Sequence, residues 1–111
     1  MTISTHVLDA VSGGPAPGME LRLERVEGTQ AAAVGRGATN ADGRCPELTD
    51  GLRLEVGTYR LRFETGEYFA RTDTPTFYPV VVLTFEVTDA AAHYHVPLLL
   101  SPFSYSTYRG S

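Results

Sequence analysis

The sequence predicts an all-β protein built as an antiparallel sandwich, and three observations carry that prediction. Short stretches alternate apolar and polar side chains, the period of a strand with one buried and one solvated face. Glycine- and proline-rich clusters separate those stretches at short spacing. Only one stretch, 66–73, carries helical spacing, through Tyr68, Phe69 and Arg71.

Taken in order, Ile3–Asp9 is β-branched and alternating. Val11–Gly18 is a long turn. Met19–Val26 alternates strictly, with Met19, Leu21, Leu23 and Arg25 on one face and Glu20, Arg22, Glu24 and Val26 on the other. Residues 31–39 are small and weakly patterned, and Asn40–Gly43 is a turn signal. Leu52–Val56 is a short alternating piece broken by Gly57. In Thr58–Thr65, Tyr59, Leu61 and Phe63 face one way and Arg60, Arg62 and Glu64 the other. Tyr78–Thr88 is the most β-branched run. Residues 91–100 and 103–109 complete the set, joined by Ser101-Pro102. Pro97 has no backbone donor, which predicts an edge, a bulge or an unpaired position there.

The chain of 111 residues is expected to form one domain, without linker, repeat or low-complexity tract, that buries about two-thirds of the unfolded surface. Its net charge is −4, from 13 acidic and 9 basic residues, and every basic residue is arginine. That balance lacks the basic stripe of a nucleic-acid binder and has no general attraction to anionic membranes. Without lysine there is no Schiff-base chemistry. The one cysteine, Cys45, cannot form an internal disulfide and is expected to act as a small apolar residue. Neither a secretory leader nor a peroxisomal address is expected from the two ends as they read, and no apolar run reaches a membrane span. A soluble cytoplasmic protein is the expectation.

The groups able to carry chemistry lie at the two ends and in one turn. His6 shares a strand face with Ser4 and Leu8, and His93 and His95 share another. A lone strand histidine is usually satisfied by its surroundings; the alternative is a base or proton shuttle. Arg44 follows the Asp42-Gly43 turn, where most arginines point into water, but its fork of donors can also grip ring oxygens in pairs. His6, His93 and His95 could in principle hold zinc with one open position, although no cysteine or carboxylate strengthens that reading. Tyr108, Arg109, Gly110 and Ser111 would ordinarily be a frayed tail. The alternative is a site edge, with Tyr108 and Ser111 offering hydroxyls, Arg109 a cation and Gly110 a close backbone approach. No P-loop, dinucleotide fingerprint or Gly-x-Ser-x-Gly elbow is present.

Three segments decide between these readings. His95-Val96-Pro97-Leu98-Leu99-Leu100-Ser101-Pro102 followed by Tyr105-Ser106-Thr107-Tyr108-Arg109-Gly110-Ser111 resembles the end of the 5-hydroxyisourate hydrolases, the transthyretin-related enzymes of urate breakdown. Ser4-Thr5-His6-Val7-Leu8-Asp9 resembles their first signature, and Thr39-Asn40-Ala41-Asp42-Gly43-Arg44 their second. The closing Tyr-Arg-Gly-Ser is the most specific part, because it separates the enzymes from the hormone-carrying transthyretins. The resemblance spans Ile3 to Ser111. The 12–18 turn is richer in glycine and proline than is usual in the family, and 29–38 lacks a tryptophan that relatives often carry.

The resemblance implies the transthyretin fold, two four-stranded sheets with one short helix after the fifth strand. It implies hydrolytic opening of a cyclic amide in 5-hydroxyisourate to 2-oxo-4-hydroxy-4-carboxy-5-ureidoimidazoline, with no cofactor and no metal. His6, Arg44 and His95 map onto the family's active-site positions, and Tyr108 and Ser111 are expected to act with them in catalysis. His6, Arg44, Tyr108, Arg109 and Gly110 are expected to bind substrate. His93 lies outside the motif. The resemblance also implies a homotetramer, a dimer of dimers with active sites at the dimer–dimer interface. A hormone carrier of the transthyretin kind, or a sandwich module that only binds partners, are the rival expectations.

Overall fold

A computed structural model describes residues 2–111. In chain order the elements are β1 (Thr2–Asp9), β2 (Gly14–Pro15), β3 (Glu20–Glu27), β4 (Gln30–Ala38), β5 (Gly57–Phe63), α1 (Thr65–Ala70), β6 (Val81–Val87), β7 (His93–Ser101) and β8 (Ser104–Thr107). They form two four-stranded sheets, β2-β1-β7-β8 and β4-β3-β5-β6, with the one short helix after the fifth strand. No helix among the described residues is long and apolar enough to cross a membrane.

The alternation seen in the sequence places the core between the sheets. Val7, Leu23, Leu61, Phe63, Leu98 and Leu100 are fully buried. Each such side chain contributes roughly 1.5–3 kcal/mol of hydrophobic stabilisation. In the first sheet, Ile3, Thr5, Val7 and Asp9 face inward, as do Tyr94, Val96, Leu98 and Leu100. Period two then turns Ser4, His6 and Leu8, and His93, His95, Pro97 and Leu99, to the outer face.

Several elements differ in detail from the sequence expectation. The turn 11–18 contains β2, a two-residue strand paired with Leu8 and Asp9. Leu52–Val56 forms no strand; the Tyr59 hydroxyl donates to the Glu55 carbonyl at 2.7 Å and accepts its N–H at 3.2 Å, so a side chain replaces the ladder. The strict alternation of β3 is interrupted by a register shift at Leu23/Glu24. It buries Glu24, whose carboxylate pairs with Arg22 at 2.8 Å and Arg60 at 3.3 Å.

One pairing is parallel. β1 runs alongside β7, with Ser4 opposite His95 and His6 opposite Pro97. Strands from opposite ends of the chain therefore lie side by side at the centre of one sheet.

Candidate active site

The outer face of the β2-β1-β7-β8 sheet collects the chemical groups that the sequence scatters. His6 stands on β1, and an isolated antiparallel bridge sets Arg44 opposite it. His95 stands on β7, and a second bridge sets Gly110 opposite it. Because His6 is level with Pro97, His95 lies two residues away along the neighbouring strand, a diagonal neighbour on the same face.

Local chemistry explains why Arg44 reaches β1. Asn40 clamps the turn from both sides: its side-chain oxygen accepts the N–H of Asp42 at 2.9 Å and of Arg44 at 3.1 Å, and its own N–H donates to the Arg44 carbonyl at 2.7 Å. Gly43 has φ +76°, and a Cβ there would collide with the carbonyl oxygen of Val7. Glycine thus allows the turn to lie against β1, where the Val7 N–H donates to the Gly43 carbonyl at 2.8 Å.

Pro97 shapes the other side. β8 pairs with β7 as far as Leu98 opposite Thr107, and the pairing resumes at His95 opposite Gly110 in the same register. That register sets Tyr108 opposite Pro97 and Arg109 opposite Val96. The missing proline donor interrupts the ladder between them, the unpaired position that the sequence anticipates. Gly110 then returns to β7, donating its N–H to the His95 carbonyl at 2.8 Å. A Cβ on Gly110 would lie 2.5 Å from His95 Cδ2, so only glycine leaves the imidazole its space.

The structure brings His6, Arg44, His95 and Gly110 together, and the register adds Tyr108 on the same face. Arg109 goes the other way. Its guanidinium sits 4.7 Å from the centre of the Tyr94 ring, and Tyr94 faces inward. This cation–π contact pins the 108–111 segment. Ser111 follows Gly110 and is exposed.

Two contributors lay outside the residues singled out from sequence. Asn40 is one; the signal for it was its place in a Thr-Asn-Ala-Asp-Gly turn. Ser4 is the other. Its Oγ lies 2.8 Å from His95 Nδ1 and 3.0 Å from His93 Nε2. The hints in the sequence were the spacing Ser4-x-His6, which puts a hydroxyl on the histidine face, and the place of Ser4 in the first signature.

Burial is the main influence that holds the His95 imidazole below its ordinary value, and Arg44, His93 and His6 push in the same direction. His95 is therefore neutral near pH 7, with a lone pair available as a base. Cys45 offers no thiolate: burial, then Glu47, pushes its thiol up to about 12. Among the described residues no three histidine, cysteine or acidic side chains are grouped to hold a metal ion. The histidine face is open in the single chain; grooves of about 390 and 330 Å³ lie elsewhere, one beside Arg22, Arg36 and Arg62, one beneath Tyr108 and Arg109.

Comparison with known proteins places the chain in a family. A family model described as the HIUase/Transthyretin family matches residues 3–110. The 5-hydroxyisourate hydrolase of Mus musculus is 47% identical over 98% of this chain and 94% of its own length. That of Pseudomonas aeruginosa is 45% identical over 98% and 90%. Among solved structures, Klebsiella pneumoniae 5-hydroxyisourate hydrolase superposes with a TM-score of 0.85 at 38% identity, covering 98% of both chains. Sea bream transthyretin in complex with thyroxine superposes with a TM-score of 0.91 at 30% identity, covering 97% of this chain and 93% of its own.

Proposed function

The chain belongs to the HIUase/transthyretin family and is a 5-hydroxyisourate hydrolase, and we propose that it opens the cyclic amide over the outer face of the β2-β1-β7-β8 sheet. The product is 2-oxo-4-hydroxy-4-carboxy-5-ureidoimidazoline. The observation that carries the site assignment is the pair of bridges, His6 to Arg44 and His95 to Gly110, which join three distant parts of the sequence on one face.

The reaction needs a water made nucleophilic, a grip on the carbonyl oxygen as it becomes tetrahedral, and a proton for the departing nitrogen. His6 and His95 hold the water between them. The neutrality of His95 supports its part in deprotonating it. Arg44 orients the ring and stabilises the developing oxyanion; its fork of donors matches the ring's oxygens. Tyr108 and Ser111 close the pocket and help return the proton to nitrogen. Gly110 brings the segment against His95, and Arg109 holds that segment through Tyr94 while its backbone lines the substrate's edge.

An open face is a poor place for such chemistry, because water screens every charge. The same sheet exposes Leu99, Phe103, Tyr105 and Tyr108, and its edge strand β8 carries no charged side chain. Such an edge is a liability unless it is covered. A homotetramer built as a dimer of dimers, working in the cytoplasm, would cover it and enclose the histidines.

The test is the ultraviolet decay of 5-hydroxyisourate freshly made from urate by urate oxidase. Purified protein should accelerate the decay well beyond buffer. Decay at the buffer rate would leave only a binding protein.

A further inference from the structure

We propose that Ser4 and His93 are positioning residues of this site, forming a hydrogen-bonded row that carries a proton between His95 and solvent. The proposal rests on the assignment of His95 to the reaction.

The row is continuous. His95 Nδ1 lies 2.8 Å from Ser4 Oγ, and Ser4 Oγ lies 3.0 Å from His93 Nε2. His93 Nδ1 in turn bonds the Thr2 hydroxyl. His93 and Thr2 are exposed, whereas Ser4 and His95 are half-buried, so the row runs from the site to water. The pairing of β1 with β7 creates it: Thr2 stands opposite His93 and Ser4 opposite His95, all on one face. Engaging Nδ1 leaves Nε2 as the nitrogen of His95 turned away from Ser4.

A neutral histidine carries one N–H, and a hydroxyl can donate and accept at once. The row therefore has two self-consistent polarities. In one, His95 Nδ1–H donates to Ser4, Ser4 donates to His93 Nε2, and His95 Nε2 presents a lone pair. In the other every bond is reversed, and His95 Nε2 presents a proton. Passing one proton outward along the row converts the first state into the second. The first returns after product leaves, when His95 Nε2 gives its proton to incoming water as one proton enters the row at His93, an even exchange that leaves one proton exported per turnover.

The reaction has a use for this. Water adds to the carbonyl carbon through a new C–O bond, and the ring C–N bond breaks. One water proton goes to the departing ureido nitrogen, which is not basic enough to hold another. The new carboxyl group is ionised near neutral pH, so one further proton must leave the site in each turnover. His95 is a poor place for it to stay, since burial and Arg44 disfavour the imidazolium. The neighbours facing His95 are His6 from β1, Arg44 from the 40–44 turn and His93 from β7. The relay through Ser4 to His93 gives the proton a path outward.

The test compares Ser4→Ala, Ser4→Thr and His93→Gln in the full chain, each checked for an unchanged melting temperature. With 5-hydroxyisourate in dilute buffer, Ser4→Ala should lower kcat about tenfold or more at nearly constant KM. Ser4→Thr, which keeps a hydroxyl, should recover most of that loss. His93→Gln should lose rate several-fold, and added imidazole should restore it. Nitrogen NMR should show the proton of His95 redistributed between its nitrogens in Ser4→Ala. Full kcat in Ser4→Ala, or a His93→Gln loss that imidazole does not restore, overturns the relay. A wild-type protein with no activity would remove the site assignment instead, so the two failures are distinguishable.

Discussion

Gly110 donates its backbone N–H to the carbonyl of His95 at 2.8 Å, and the absence of a side chain there is what leaves room for the imidazole. The relationship fixes the segment 108–111 to the histidine strand, just past the point where Pro97 interrupts the ladder.

It follows that Gly110→Ala should be a catalytic lesion more than a folding one. The new methyl group would lie 2.5 Å from His95 Cδ2, so either the ring or the segment must move. Misplacement on the scale of an ångström costs about 100-fold in rate. The expected result is a fall of that order in kcat with a melting temperature close to wild type. Rate and thermal melt on one preparation check it.

Asn40 and Arg44 separate position from charge. Asn40→Ala removes both side-chain bonds that shape the 40–44 turn. Each bond contributes roughly 1 kcal/mol, so the turn should loosen and kcat/KM should fall about tenfold while the sandwich persists. Arg44→Lys keeps the charge and loses the fork. It should cost about 100-fold or more in kcat, the usual scale for losing an oxyanion donor. Steady-state kinetics on the two variants distinguish these effects.

The pH dependence has a definite sign. The folded pKa of His95 lies below its ordinary 6.5, first through burial and then through Arg44. On acidification the unfolded chain takes up this proton before the folded one, so stability declines as pH falls through 6.5. The imidazole itself stays neutral to a lower pH. In an NMR titration His95 should have its midpoint below 6.5, and Arg44→Gln should move that midpoint upward. A wild-type midpoint at or above 6.5 would contradict the assigned environment.

At the alkaline end the sign is opposite in kind. Burial raises the Cys45 thiol from 9.0 to about 12, and burial with Asp9 raises the Tyr68 phenol from 10.0 to about 12. The unfolded chain loses these protons first. Stability from both groups is complete below 9.0 and declines as pH rises toward about 12. The urea midpoint should drop over that interval, and Cys45→Ala and Tyr68→Phe should each flatten the drop.

Much of this architecture was legible in the sequence because burial imposes a period of two. The alternation of Thr58–Thr65 is reproduced in β5, and the helical spacing of 66–73 appears as the shorter α1, Thr65–Ala70, with Arg71 at its C-cap. Pro97 announced an interrupted ladder because it lacks a donor. What the sequence hid depends on partners distant along the chain. Leu52–Val56 has strand-like alternation, yet Tyr59 satisfies its backbone through a hydroxyl. β2 is too short to show a period. The residues that could carry chemistry were visible by type and placement, but only the family motifs chose between their bland and functional readings, and the part played by Ser4 required the parallel pairing of β1 with β7. Backbone shape alone does not separate the two kinds of relative, since a hydrolase and a thyroxine-bound transthyretin share this fold alike.

The most direct measurement of the central claim is the initial rate of 5-hydroxyisourate decay with His6→Asn, His95→Asn and the double variant, each confirmed to melt like wild type. Groups acting on one water behave as a unit, so each single change should abolish most of the acceleration, about 1,000-fold, and the double should be scarcely worse. A folded His6→Asn or His95→Asn protein that turns over at the wild-type rate would contradict it.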